Sequence, residues 1–183
     1  MTVPEIDAPG GYSLAKAPRY GGRPMETGPL AERLVEGHPL YRDLVAVHGT
    51  TALVRQLARI TRPAELVVAM ERWLGATSET DSFYSPPGPI PDGDGVGHVA
   101  ATRGLLGHWV SIRNGAIDRY QIITPTGWNA SPRDDAGIRG PMEDALIGTT
   151  VRDPEHPVEL GHVVRSFDPC LVCTVHTLIR RPA

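Results

Sequence analysis

His108-Trp109-Val110-Ser111-Ile112-Arg113-Asn114-Gly115-Ala116-Ile117-Asp118-Arg119-Tyr120-Gln121-Ile122-Ile123 is the stretch from which the architecture can be read. Two runs of strand-forming residues flank Asn114-Gly115, a dipeptide whose members both tolerate the positive φ of a tight hairpin turn. An antiparallel hairpin is therefore expected, with its second strand over 116–123. Before it, residues 76–97 read as loop, because a polar run is followed by Pro86, Pro87, Gly88, Pro89, Pro91, Gly93, Gly95 and Gly97. Further upstream, apolar residues recur every three to four positions over 41–60 and again over 63–74, which predicts two amphipathic helices, the second opened by Pro63. A short helix is expected from Pro29 to about Glu36, stopped by Gly37 and Pro39. Glycines and prolines break up residues 1–29, with 1–11 as an irregular lead-in. Beyond the hairpin, 124–140 is irregular, Pro141 opens a helix to about Ile147, and 158–164 is either a strand or a short helix. The expected fold is α+β, with helices packed around a small antiparallel sheet and long Pro/Gly-rich loops, in a single domain over 1–183.

Composition narrows the functional classes. The 183 residues include 18 Lys+Arg against 21 Asp+Glu, a net charge of -3, so no basic excess points to nucleic acid. No apolar run approaches the roughly 20 residues that span a bilayer, so no transmembrane segment is expected. The first eleven residues carry Pro4, Glu5, Asp7 and Pro9 where a secretory peptide needs a basic start and an apolar stretch. A cytoplasmic location is expected, or a membrane-associated or exported one reached only through a partner. The 20 glycines and 18 prolines predict many turns, and two phenylalanines leave the core to Leu, Val, Ile and Ala, part of it expected from a partner surface. Trp73, Trp109 and Trp128 read as packing residues.

The two cysteines, Cys170 and Cys173, form a C-x-x-C pair behind Asp168-Pro169, and His176 follows at the same spacing. On a helical turn all three project from one side, near enough to share a metal region. Thiolates are soft ligands suited to nickel, iron, copper and zinc. A redox pair and buried structural cysteines are the other readings of the spacing, although a thioredoxin-like site would need a βαβ context that is absent here.

Arg165-Ser166-Phe167-Asp168-Pro169-Cys170-Leu171-Val172-Cys173-Thr174-Val175-His176 resembles the C-terminal D-P-C-x-x-C-x-x-H signature of nickel-iron hydrogenase large subunits. The likeness continues in order through Tyr12-Ser13, Lys16-Ala17-Pro18-Arg19-Tyr20, Pro24-Met25-Glu26, Arg103-Gly104, Gly107-His108-Trp109, Thr124-Pro125-Thr126, Trp128-Asn129-Ala130-Ser131-Pro132-Arg133-Asp134 and Gly140-Pro141. It implies the C-terminal portion of a catalytic subunit for the reversible oxidation of dihydrogen, with cofactors nickel, iron carrying carbon monoxide and cyanide, and magnesium. Cys170 would be a terminal nickel ligand and Cys173 would bridge nickel and iron. His176 and the backbone carbonyl of Ile122 would hold magnesium. Arg103 and Thr126 would face the iron diatomics as hydrogen-bond donors, and Arg103 and Asp168 would lie beside the nickel. Taken singly, the same residues read as a loop arginine, a turn threonine, a helix-cap aspartate and a surface histidine.

The chain departs from the family pattern in reading Ala101-Thr102-Arg103 where Ala-Pro-Arg is usual, and Thr126-Gly127-Trp128 where a second threonine is usual. It also lacks the family's other C-x-x-C, so the implied partners are a chain supplying the N-terminal cysteine pair and an iron-sulfur small subunit. A maturation endopeptidase and nickel-insertion proteins are implied too, because 177–183 looks like a short version of the family's cleavable tail. The alternative functions are a non-catalytic scaffold for assembling the iron fragment of the cofactor and an inactive truncated fragment.

Overall fold

Four of the helices begin on a proline, which fits the first helical position because its missing N–H has no acceptor there. In the computed structural model, which describes residues 9–13, 15–170 and 173, the helices are α1 (Pro29–Glu36), α2 (Pro39–His48), α3 (Ala52–Gly75), α4 (Pro125–Asn129), α5 (Pro141–Leu146) and α6 (Val158–Ser166). The strands are β1 (Gly93–Ala101), β2 (Gly104–Arg113) and β3 (Ala116–Ile123). They form one antiparallel sheet in the order β1-β2-β3, so the fold is α+β as expected.

The hairpin turns at Asn114 (φ 54°) and Gly115 (φ 71°), the left-handed conformation that makes this dipeptide a turn former. Gly37 (φ 77°) ends α1 by donating to Leu34 O, while His38 N–H reaches back to Arg33 O.

Three expectations of local structure are corrected, the first being that Pro125–Asn129, inside the irregular stretch expected over 124–140, is the helix α4. The helix expected over 41–60 is divided at Gly49, and the helix after the break runs unbroken from Ala52 to Gly75 through Pro63. Thr51 supplies the reason, since its hydroxyl accepts the Val54 amide and starts a new helix. Pro63 removes one helical amide at a cost of about 3 kcal/mol, and the turns on both sides absorb it. The loop expected over 76–97 ends early, because Gly93–Ala101 is a strand. Its three glycines mask it in the sequence. Backbone pairing to β2, from Gly93 opposite Ile112 to Ala101 opposite Gly104, creates it.

Leu30, Tyr41, Val54 and Ala58 form the core between α1, α2 and α3, with Leu34, Leu44, Val45 and Leu57 packed against it. Trp128 is buried and Trp109 packs edge-on against His98, but Trp73 is 61% exposed, so its expected packing role fails among the described residues. It sits on the far half of α3, which projects past the core.

Candidate metal centre

The cysteine turn is built by what precedes it. α6 ends at Ser166, which is fully buried and whose hydroxyl donates to Val163 O (2.6 Å), and Phe167 is buried beneath the guanidinium of Arg55 at 4.0 Å. Arg55 is itself held by both carboxylate oxygens of Glu26 at 2.8 Å. Asp168 then takes a left-handed backbone (φ 51°), unusual for a residue with a side chain, and turns the chain toward Cys170. The Cys170 amide donates to the buried Thr126 hydroxyl (3.0 Å), and the Cys173 amide donates to Cys170 O (3.0 Å), closing one helical turn. The two thiols are consequently on one side, with Cys173 Sγ donating to Cys170 Sγ at 2.6 Å.

Thr126 is carried by α4, whose start is set by Thr124 Oγ1 accepting the Gly127 amide. Arg103 sits in the turn between β1 and β2, and its Nε lies 3.3 Å from Asp168 Oδ2. Three contacts fix that turn. Gly104 (φ 130°) lies so close to Thr27 that an added Cβ would stand 2.6 Å from its hydroxyl, Thr27 Oγ1 accepts the Leu105 amide, and the Asn129 amide group bridges Thr27 N and O at 2.9 Å each. Arg62 donates to the carbonyls of Ala101 (3.1 Å) and Thr102 (3.3 Å), so a side chain from α3 restrains the segment where the family's usual proline is absent.

Burial pushes the Cys173 thiol above its ordinary range and the neighbouring Cys170 sulfur adds to it, while the Thr124 hydroxyl and the Arg103 charge pull the other way. A metal entering here would displace thiol protons, which makes its affinity pH-dependent.

The structure therefore brings together Arg103, Thr126, Asp168, Cys170 and Cys173. The Ile122 carbonyl accepts from Lys16 Nζ (2.8 Å) and Gln121 Nε2 (3.2 Å). His176 and the tail 177–183 lie outside the described residues. Among the described residues no group of three His, Cys, Asp or Glu side chains is placed to hold a metal. Two adjacent soft donors fit nickel or iron as half of a ligand set. Of the two magnesium ligands the resemblance implies, the Ile122 carbonyl is among the described residues, where it faces the Lys16 ammonium.

Sequence reasoning missed Arg59, Arg62, Thr27 and Lys16 as contributors. Thr124 had a readable sign, a threonine before the proline of a helix start. Arg59 and Arg62 had none, because their partners lie in distant segments of the chain.

Known proteins resemble the chain over almost its whole length. The family model of the nickel-dependent hydrogenases matches residues 2–176. The periplasmic [NiFeSe] hydrogenase large subunit of Desulfomicrobium baculatum is 40% identical over 97% of the chain and 38% of its own length. The hydrogenase-1 large chain of Escherichia coli K12 is 37% identical over 91% of the chain and 32% of its own length. Among solved structures, the Desulfomicrobium baculatum [NiFeSe]-hydrogenase superposes with a TM-score of 0.83 at 38% identity, covering 96% of this chain and 40% of the other. The reduced Ni-Fe-Se hydrogenase of Desulfovibrio vulgaris Hildenborough gives 0.83 at 36%, with the same coverage. The chain spans less than half the length of the relatives it matches. On the extent of the family match, the identity and the superposition, the chain belongs to the nickel-dependent hydrogenase family.

Proposed function

We propose that this chain is the C-terminal portion of a nickel-iron hydrogenase large subunit, contributing one cysteine pair to the centre at which dihydrogen is split or formed. The observation that supports this most directly is the pairing of the Cys170 and Cys173 thiols beside an Arg103–Asp168 ion pair. When bound, a nickel-iron pair supplies a soft, redox-active Lewis acid against which dihydrogen is cleaved heterolytically. Cys170 and Cys173 would hold it through their two adjacent thiolates.

This chain's own residues do the rest. Asp168, its Oδ2 3.3 Å from Arg103 Nε, offers a carboxylate oxygen on which a proton can be held. Arg103 engages Asp168 through Nε, which leaves its outer N–H groups for an anionic acceptor such as cyanide. Thr126 accepts the Cys170 amide with its oxygen and keeps its own O–H, which would donate to the diatomic groups, so one hydroxyl would serve both the ligand turn and the iron ligands. Magnesium held by Ile122 and His176 belongs to the same reading, although the described residues do not themselves build that site. The missing ligands would come from a companion chain carrying the N-terminal cysteine pair. Electrons would leave through an iron-sulfur small subunit, and the assembly would depend on nickel-insertion proteins and a maturation endopeptidase. No helix among the described residues is long and apolar enough to cross a membrane.

The test is nickel and iron content of the tagged chain purified from its native host with everything that accompanies it. Near one nickel and one iron per chain beyond the partners' clusters, with nickel abolished by Cys170→Ala, is the expected result. Iron without nickel would point to a scaffold for the iron fragment, and neither metal to an inactive fragment.

A further inference from the structure

Asp168 is flanked by two guanidinium groups, and the second has no place in the roles assigned above. Arg59, on α3, has its Nε 3.8 Å from Asp168 Oδ2, against 3.3 Å for Arg103. Its Nη1 donates to the carbonyl of Ser166, the last residue of α6, at 3.0 Å, and to Gln56 Oε1 at 2.9 Å. One side chain therefore holds the end of α6 while its charge faces the carboxylate two residues further on. Between those grips lies the buried Phe167, and directly at the second is the left-handed Asp168 backbone. A non-glycine residue stays in that region only where surrounding contacts over-determine it. The Arg59 Nε is buried and makes no hydrogen bond among the described residues. A buried donor of this kind, with a carboxylate just beyond hydrogen-bond range, is set to tighten onto it. Burial disfavours its charge most, Asp168 offsets part of that, and Arg103 disfavours it a little further.

We infer that Arg59 is a positioning residue for the ligand turn: by holding Ser166 O and the Asp168 carboxylate together it orients the turn that presents Cys170. Arg59 acts through Asp168, and the pair couples α3 to the cysteine segment. The part concerning nickel rests on the function proposed above; the part concerning the turn does not.

The test uses the full chain with whatever accompanies it. Hydrogen exchange at Phe167, Asp168 and Cys170 should quicken about tenfold in Arg59→Gln while 52–58 keeps its protection, as expected when a local ion pair and hydrogen bond are lost. In an Asp168→Asn background the same change should quicken exchange about threefold, because the carboxylate is already gone and only the grip on Ser166 O is left to lose. Arg59→Lys, which keeps the charge but has one nitrogen where Arg59 uses Nε and Nη1, should return exchange part of the way to the parent. Added nickel(II), followed by its thiolate charge-transfer absorption, should need about tenfold higher concentration to saturate Arg59→Gln. Unchanged exchange in Arg59→Gln, an equal effect with and without Asp168, or a lysine variant as loose as the glutamine variant overturns the inference. If glutamine loosens 52–58 as well, the lysine variant alone decides on the same criterion. A parent chain that takes up no nickel while the exchange results hold refutes the metal reading and leaves Arg59's role standing.

Discussion

The helical region and the sheet of this protein are held together in different ways. α1, α2 and α3 close over Leu30, Tyr41, Val54 and Ala58, none more than 3% exposed. The sheet has no comparable interior: Val96, Val99, Ile117 and Tyr120 are all more than half exposed, and the three strands are joined chiefly by backbone pairing. Between the two regions lies a concavity of about 1170 Å³ whose walls include Met25, Ala31, Val35, Val96, Leu105 and Trp109. Such a division fits a chain that spans about two-fifths of the solved relatives' length. It also explains where the candidate site falls. Asp168 receives Arg59 from the helical region and Arg103 from the turn of the sheet, so the cysteine segment is fastened at the seam.

The contrast can be broken most strongly in the core. Leu30→Ala should cost about 3 kcal/mol, through lost burial and an unfilled cavity, whereas Val99→Ala on the sheet should stay within about 0.5 kcal/mol. Urea unfolding followed by far-ultraviolet circular dichroism measures both, and equal costs would erase the distinction. Next in size is Glu26→Gln. It removes the carboxylate from a buried Arg55 that also covers Phe167, and an expected loss of about 2 kcal/mol would appear as a lower urea midpoint with an unchanged slope.

Thr126→Val takes the acceptor from the Cys170 amide at the cost of one buried hydrogen bond, about 1 kcal/mol. Exchange at that amide should rise while the α1–α3 core keeps its protection, which would show that the seam loosens independently of the core. The smallest effect is expected at Asp134, whose carboxylate is held below the usual range chiefly by the Ile138 amide, with Arg19 adding to it. A depressed carboxylate contributes stability above its unfolded value of about 3.9, and that contribution disappears as pH falls through the lower folded value. Asp134→Asn should therefore lower the melting temperature slightly at pH 6 and leave it nearly unchanged at pH 2.

Much of this was readable beforehand because it is local. Asn114-Gly115 turns the chain by its own backbone preferences, Pro29 and Gly37 bound α1, and three-residue spacing puts Cys170 and Cys173 on one side of a turn. β1 was unreadable because its glycines resemble loop and its existence depends on a partner strand. The break before α3 was hidden for a related reason, since apolar periodicity continues through Gly49 while the Thr51 cap redirects the chain.

Residue order thus settles the hairpin, the starts of α1 and α5, the soft donor pair and the family, since each follows from neighbouring side chains or from an ordered series of short motifs. Folding settles the rest: that Arg59 and Arg103 meet at Asp168, that Thr126 receives the Cys170 amide, and that Arg62 takes over the restraint of the turn before Arg103. These contacts join residues some 40 to 110 positions apart, from Arg62 to Ala101 and Arg59 to Asp168. No local preference encodes such distances; only the packing of helices against a sheet brings those charges within reach.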